Sequence, residues 1–205
     1  SMTPEARAII EQIVAQMSPL PAAKLRLIRT AVERLGQSST HELLLRDVFT
    51  ECFATGFEGV LQIHHALSDA PFTKDKFEWG MIQVLKGCGR EAKPGPRGLP
   101  GYDIEVDNER WSLKTQADQG IKLDRLHISK FMELGKGQWR TQTDLAGLRD
   151  QMLAHMAQYD RILSLRHFYQ ELEDGHKHFY ELIEIPKSVL AEAANGKIEM
   201  VHRSK

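Results

Sequence analysis

Residues 102–116, YDIEVDNERWSLKTQ, alternate apolar and polar positions on both sides of Asp107-Asn108. A side-chain period of two around a two-residue turn selects a β-hairpin, because a helix would scatter the same apolar residues around its circumference. The hairpin in turn dictates which side chains share a face. Asp103 and Glu105 project together, while Ile104 points the other way into a core. On the second arm, Ser112 and Lys114 share a face opposite Trp111, Leu113 and Thr115. Asp103, Glu105, Ser112 and Lys114 therefore gather on one side. Charged groups placed in this way must be solvated, paired with one another, or bound to a metal ion.

The chain around the hairpin reads as mixed α and β. Thr3 caps a helix over TPEARAIIEQIVAQM that starts with Pro4 and carries Ile9, Ile10, Ile13, Val14 and Met17 on one face. A second helix, AAKLRLIRTAVERLG, stops at Gly36, and a third is expected from about Glu42 to Leu67, with His64 and His65 mid-helix. KDKFEWGMIQVLK forms a fourth helix before the Gly- and Pro-rich stretch EAKPGPRGLPG, which reads as a loop too short for a collagen repeat. Beyond the hairpin, Ser129 is placed to cap a short helix in HISKFMELG. TDLAGLRDQMLAHMAQY is an amphipathic helix with Thr143 as its cap. RILSLRHFY and HFYELIEI are strands joined near Asp174-Gly175, and Pro186 opens a short helix ending at Gly196. KIEMVH is read as a last strand. The fold class is α/β (α+β mixed): a small mixed β-sheet flanked by helices over 71–205, preceded by a helical region over 1–70.

Length and composition narrow the function classes. A chain of 205 residues holds one full core with a small helical appendage. No apolar run approaches the roughly 18 residues that span a bilayer, and no secretory signal opens the sequence, whose first residues Ser1-Met2 read as an expression remnant. The expectation is a cytoplasmic protein with no membrane partner. Two cysteines, Cys52 and Cys88, are too few for a disulfide framework or a zinc site. A formal net charge of −1, from 27 basic and 28 acidic residues, gives no support for an obligate nucleic-acid coat. The basic bias is local instead, in KGCGREAKPGPR over 86–97, which leads directly into the hairpin.

Oxygen ligands at close range suit Mg²⁺, and a lysine beside such an ion can activate an attacking water or stabilise a pentavalent phosphate. The hairpin is thus a candidate phosphodiester hydrolase site; an ordinary salt-bridged hairpin with a solvated face explains the same spacing.

GYDIEVDNERWSLKTQ resembles the core of the PD-(D/E)XK nuclease superfamily, which includes the type II restriction endonucleases. Asp103 matches the first acidic residue of that pattern and Lys114 its lysine. The order of helix and two strands over DLAGLRDQMLAHMAQY, RILSLRHFY and HFYELIEIP is also similar, so the resemblance covers roughly 74–190. It implies a restriction-endonuclease-like core that cuts double-stranded DNA with Mg²⁺, Mn²⁺ being able to substitute, and it leaves the N-terminal helices unexplained. A homodimer is expected because cutting both strands needs two sites, and the 1–70 region offers a surface for dimerisation or DNA contact. Two departures stand out. Tyr102 replaces the proline that would precede the aspartate, and Ser112 occupies the second acidic slot, as in Ser-x-Lys subgroups that recruit a carboxylate from elsewhere. Three donors are available: Glu105 on the same face, Glu78 on the preceding helix, and Glu133 on the following segment, with the first two ranking above the third. Gln116 can orient a water or phosphate, and His127 can approach a phosphate. Lys93, Arg97, Lys136 and Arg140 are candidate DNA-backbone contacts. The alternative is a catalytically degenerate DNA-binding or assembly protein on the same fold.

Overall fold

The structure is a computed structural model that describes residues 2–37, 47–98, 101–118, 120–126, 138–172 and 175–200. It divides into two compact units, Ser1–Ala70 and Pro71–Lys205.

The first unit is helical: α1 (Pro4–Met17), α2 (Ala22–Leu35) and α3 (Glu51–Leu67). The Thr3 hydroxyl accepts from the Ala6 amide at 3.2 Å, and Pro4 stands at the first helical position, where its missing N–H leaves no donor unsatisfied. Ile9, Ile10, Ile13 and Val14 remain exposed along α1. α3 starts later than its apolar pattern suggests. The Val48 amide is held by the Asp47 carboxylate at 2.9 Å, and Thr50 caps the helix by accepting from Phe53 at 3.2 Å. His64 and His65 lie in the last turn rather than mid-helix, their rings on the carbonyls of Ala70 (2.6 Å) and Ser68 (2.9 Å).

The second unit is built on a five-stranded mixed sheet flanked by helices. α4 (Lys74–Gly87) precedes β1 (Ala92–Pro94), β2 (Ile104–Val106) and β3 (Glu109–Gln116). α5 (Gln142–His155) crosses over to β4 (Arg161–Leu172) and β5 (Gly175–Glu184), and α6 (Lys187–Ala191) follows. The spatial order is β1-β2-β3-β4-β5, antiparallel throughout except for the parallel β3–β4 pair. A parallel pair needs a long crossover, and α5 supplies it. The turn residues Asp107 (φ 48°) and Asn108 (φ 68°) adopt the left-handed conformation of a tight hairpin turn, which Asx residues tolerate. The Asp107 carboxylate accepts from Arg90 and from the Glu91 amide, and these bonds hold it below the ordinary carboxylate range.

The core lies on the apolar face of this hairpin and the adjoining β4. Ile104, Val106, Trp111, Leu113, Leu163 and Leu165 are buried, as are Phe77, Met81 and Leu85 of α4. α4 packs on β1 and β3. A second cluster joins Met156, Tyr159, Ile162, Ile185 and Leu190. Each such side chain contributes roughly 1.5–3 kcal/mol by leaving water.

Three readings need correction. The Gly- and Pro-rich loop contains β1, which pairs residue for residue with β2 as Ala92↔Val106, Lys93↔Glu105 and Pro94↔Ile104. Its sequel depends on Gly95: a Cβ there would stand 2.6 Å from the Tyr102 carbonyl, so only glycine allows the approach. α5 is capped by Thr141, not Thr143. Its hydroxyl accepts from the Asp144 amide at 3.2 Å while the Asp144 carboxylate takes the Thr141 amide at 2.9 Å, a reciprocal capping box. Residues 197–200 carry no strand; there the Ile198 carbonyl accepts from Gln142 at 2.7 Å. Among the described residues no helix is long and apolar enough to cross a membrane.

Candidate active site

The hairpin register places Ile104 opposite Trp111 and Glu105 opposite Arg110, and the parallel pairing sets Lys114 beside Ser164 and Gln116 beside Arg166. With alternate residues on opposite faces, Asp103, Glu105, Ser112, Lys114 and Gln116 line one side of the sheet, together with Ser164 and Arg166. Asp103 stands one residue before β2. Its backbone amide still donates to Trp111 O at 2.9 Å, but its side chain turns in to the sheet: Oδ2 accepts from the Leu113 amide at 2.6 Å. The carboxylate is thereby tied to the backbone immediately before Lys114, which is half-buried on β3.

α4 supplies the rest of this corner. Lys74 and Glu78 are one helical turn apart, with Nζ and Oε1 4.0 Å from each other. Lys74 Nζ also lies 3.3 Å from Asp103 Oδ1. Glu78 is held above the ordinary carboxylate range, first by burial and then by the negative charge of Asp103. Lys74 pulls the other way, Asp75 adds to the rise, and a hydrogen bond to Asp103 favours the protonated Glu78. Two carboxyls so close cannot both ionise freely unless a proton or cation lies between them. Glu78 and Asp103 thus meet.

Glu105 has a different environment. Its Oε1 pairs with Lys93 Nζ at 2.9 Å across β1–β2, so Lys93 is engaged with a carboxylate of its own sheet. Among the described residues no three histidine, cysteine, aspartate or glutamate side chains converge as a metal cage. Ser112 is buried at 2 % exposure, so an acid in its slot would be cut off from bulk water. Gln116 is buried as well. Arg97 and Arg140 are exposed, and the Arg140 amide donates to the Asp144 carboxylate at 2.8 Å beside the α5 cap. His127, Glu133 and Lys136, like the cap expected at Ser129, lie outside the described residues.

Two residues of this face were missed in the sequence. Lys74 was readable, since an i, i+4 pair with Glu78 is a standard helical contact. Arg166 left a fainter trace, a charge in the middle of the largely apolar run Ile162–Phe168 of β4. It is 1 % exposed, donates to Glu181 at 2.6 Å, and also donates to the carbonyls of Lys122 and of Arg125 (2.7 Å), pinning the segment after β3.

The donor set fits a hard divalent cation. Mg²⁺ takes one or two carboxylates and completes its shell with water and phosphate oxygens. Asp103 offers Oδ1, its Oδ2 being committed to Leu113, and Glu78 offers a carboxylate whose ionisation a nearby cation would favour.

Comparison with known proteins points to the type II site-specific deoxyribonucleases: the model of the SmaI family matches residues 15–205. The chain belongs to that family. It is 36 % identical over 167 residues to the type II restriction enzyme SmaI of Serratia marcescens. The aligned stretch is 81 % of this chain and 65 % of that relative, slightly less than two thirds of its length. No solved structure matches.

Proposed function

We propose that this chain is a restriction-type endodeoxyribonuclease that hydrolyses phosphodiester bonds of double-stranded DNA with Mg²⁺, Mn²⁺ being able to substitute. Type II restriction enzymes generally need divalent metal ions. The observation that carries the reading is the tie between Asp103 and the Leu113 amide, which fixes an acidic group shared with Glu78 next to Lys114.

In this reading the site is a PD-(D/E)XK arrangement with the Ser-x-Lys variant of its second motif. Asp103 and Glu78 hold the metal, Glu78 supplying from α4 the carboxylate that Ser112 cannot. Glu105 is the third acidic candidate, and Glu133 remains a more distant one. Held there, a divalent ion would supply Lewis acidity, lowering the pKa of a water and offsetting charge on the phosphate. The Lys114 ammonium orients the attacking water and stabilises the extra negative charge as the new P–O bond forms and the P–O3′ bond breaks. The products are 5′-phosphate and 3′-hydroxyl ends. Gln116, His127, Lys93, Arg97, Lys136 and Arg140 are proposed only as supporting or backbone-contacting groups.

Cutting both strands requires two sites, so the working form is proposed to be a homodimer in the cytoplasm. The exposed stripe Ile9, Ile10, Ile13 and Val14 supports a pairing role for the 1–70 region, with 71–205 as the catalytic core.

The test is cleavage of plasmid and phage DNA with Mg²⁺ or Mn²⁺ by the parent, Asp103→Ala and Lys114→Ala. Discrete fragments from the parent and none from either variant are the expected result. Intact DNA in every reaction, across several methylation states and with binding seen by gel shift, would establish the degenerate DNA-binding reading instead.

A further inference from the structure

Lys74 sits at the first position of α4, where the helix dipole disfavours a cation, and Thr73 before it makes no side-chain capping bond. Its ammonium nevertheless stays at this end, 3.3 Å from Asp103 Oδ1 and 4.0 Å from Glu78 Oε1. The two carboxylates that would hold a metal are the groups that hold the lysine. They are also the fixed partners of the three. The Asp103 and Glu78 side chains are 16 % and 27 % exposed, against 47 % for Lys74. With Oδ2 of Asp103 bonded to the Leu113 amide, Oδ1 is the oxygen that the lysine and an incoming cation share.

We infer that Lys74 is a built-in competitor for the metal, an ammonium that neutralises the Asp103–Glu78 pair until a divalent cation displaces it. This rests on the metal reading of the site proposed above. Two cations cannot occupy one oxygen environment without strong repulsion, and of the two only the lysine is tethered to a flexible, half-exposed stem that can swing into water. The arrangement keeps the acidic corner paired when metal is scarce and raises the metal concentration at which the site loads. A lysine that merely props the carboxylates in place makes the opposite prediction, since its removal would loosen the ligands.

The test is Mn²⁺ uptake by the full chain without DNA, followed by the electron paramagnetic resonance signal of the free ion. The parent, Lys74→Met and Lys74→Arg are compared, with thermal melts confirming that each variant folds. Lys74→Met, which keeps the stem and removes the charge, is expected to bind Mn²⁺ about three- to tenfold more tightly, the scale of a partly screened ion pair. Lys74→Arg keeps the charge and is expected to stay near the parent. Uptake must vanish when Asp103→Asn is added in either background. A parent that binds Mn²⁺ while Lys74→Met binds it equally or more weakly overturns the competitor role and leaves the metal site standing. A chain that binds no Mn²⁺ with or without Lys74 removes the metal reading itself.

Discussion

Asp103 and Glu105 are separated by one residue, project from the same face, and have been given opposite surroundings. Glu105 lies within the paired register and is neutralised by Lys93 from the neighbouring strand at 2.9 Å. Asp103 lies just outside the register, so its carboxylate is free to take the Leu113 amide and to face α4, where it meets a second carboxyl and one lysine. A paired acid on a regular strand is an ordinary cross-strand contact worth a fraction of a kcal/mol. An acid at a strand end, crowded by another acid, holds charge that a ligand can relieve. The difference teaches that placement relative to the end of β2, more than residue type, separates a structural carboxylate from a candidate ligand.

The largest break in that comparison should come from Asp103→Ala, which removes both the ligand oxygen and the anchor to β3. DNA cleavage is expected to fall about a thousandfold in single-turnover assays, a loss of the size seen when a main electrostatic group is deleted. Lys114→Ala is expected to cost roughly 10²- to 10³-fold in the same assay while leaving Mn²⁺ uptake intact, because the role proposed for it lies with the water and the phosphate.

Glu78→Gln should lower cleavage by about a hundredfold and, unusually, raise stability. The sign follows from linkage. The folded protein raises the Glu78 pKa, so between the unfolded and folded values the native state binds more protons, and stability falls as pH rises through that window. The ionised glutamate therefore costs stability at neutral pH, and glutamine removes that cost. Thermal melts should show Glu78→Gln above the parent at pH 7, with the gain disappearing as the pH drops into the ordinary carboxylate range. A variant that melts below the parent at pH 7 would show that burial and the nearby Asp103 charge do not make the ionised Glu78 costly.

The smallest effect belongs to the middle of β2. Glu105→Gln and Lys93→Gln are each expected to change cleavage by less than about fivefold, the scale of a surface pair. A loss at Glu105 matching that at Glu78 would make Glu105 a ligand and erase the contrast.

Much of this was legible in the sequence because local rules agreed with one another. The period-two arms and Asp107-Asn108 specified the hairpin and its polar face, and Thr3-Pro4 specified the start of α1. Glu78 could be proposed as a donor only through resemblance, because no spacing rule brings an α4 residue to a strand 25 residues away. β1 escaped because three residues ending in Pro94, just before Gly95, show no alternation and exist as a strand only through pairing with β2. Thr141 and Thr143 both offer caps, and the choice fell to the one three residues before Asp144, whose carboxylate can answer it. Arg166 is a charge that local pattern would send to the surface. Carbonyls of the segment after β3 and the Glu181 carboxylate satisfy it inside, a tertiary fact with no local signature.

The most direct measurement is Mg²⁺-dependent plasmid cleavage by the parent, Glu78→Gln and Glu105→Gln side by side, at matched folded concentration. Strong loss in Glu78→Gln with near-parent cutting by Glu105→Gln is the predicted result. Near-parent cutting by Glu78→Gln, with activity lost in Glu105→Gln, would contradict the assignment of the site to the Asp103–Glu78 pair.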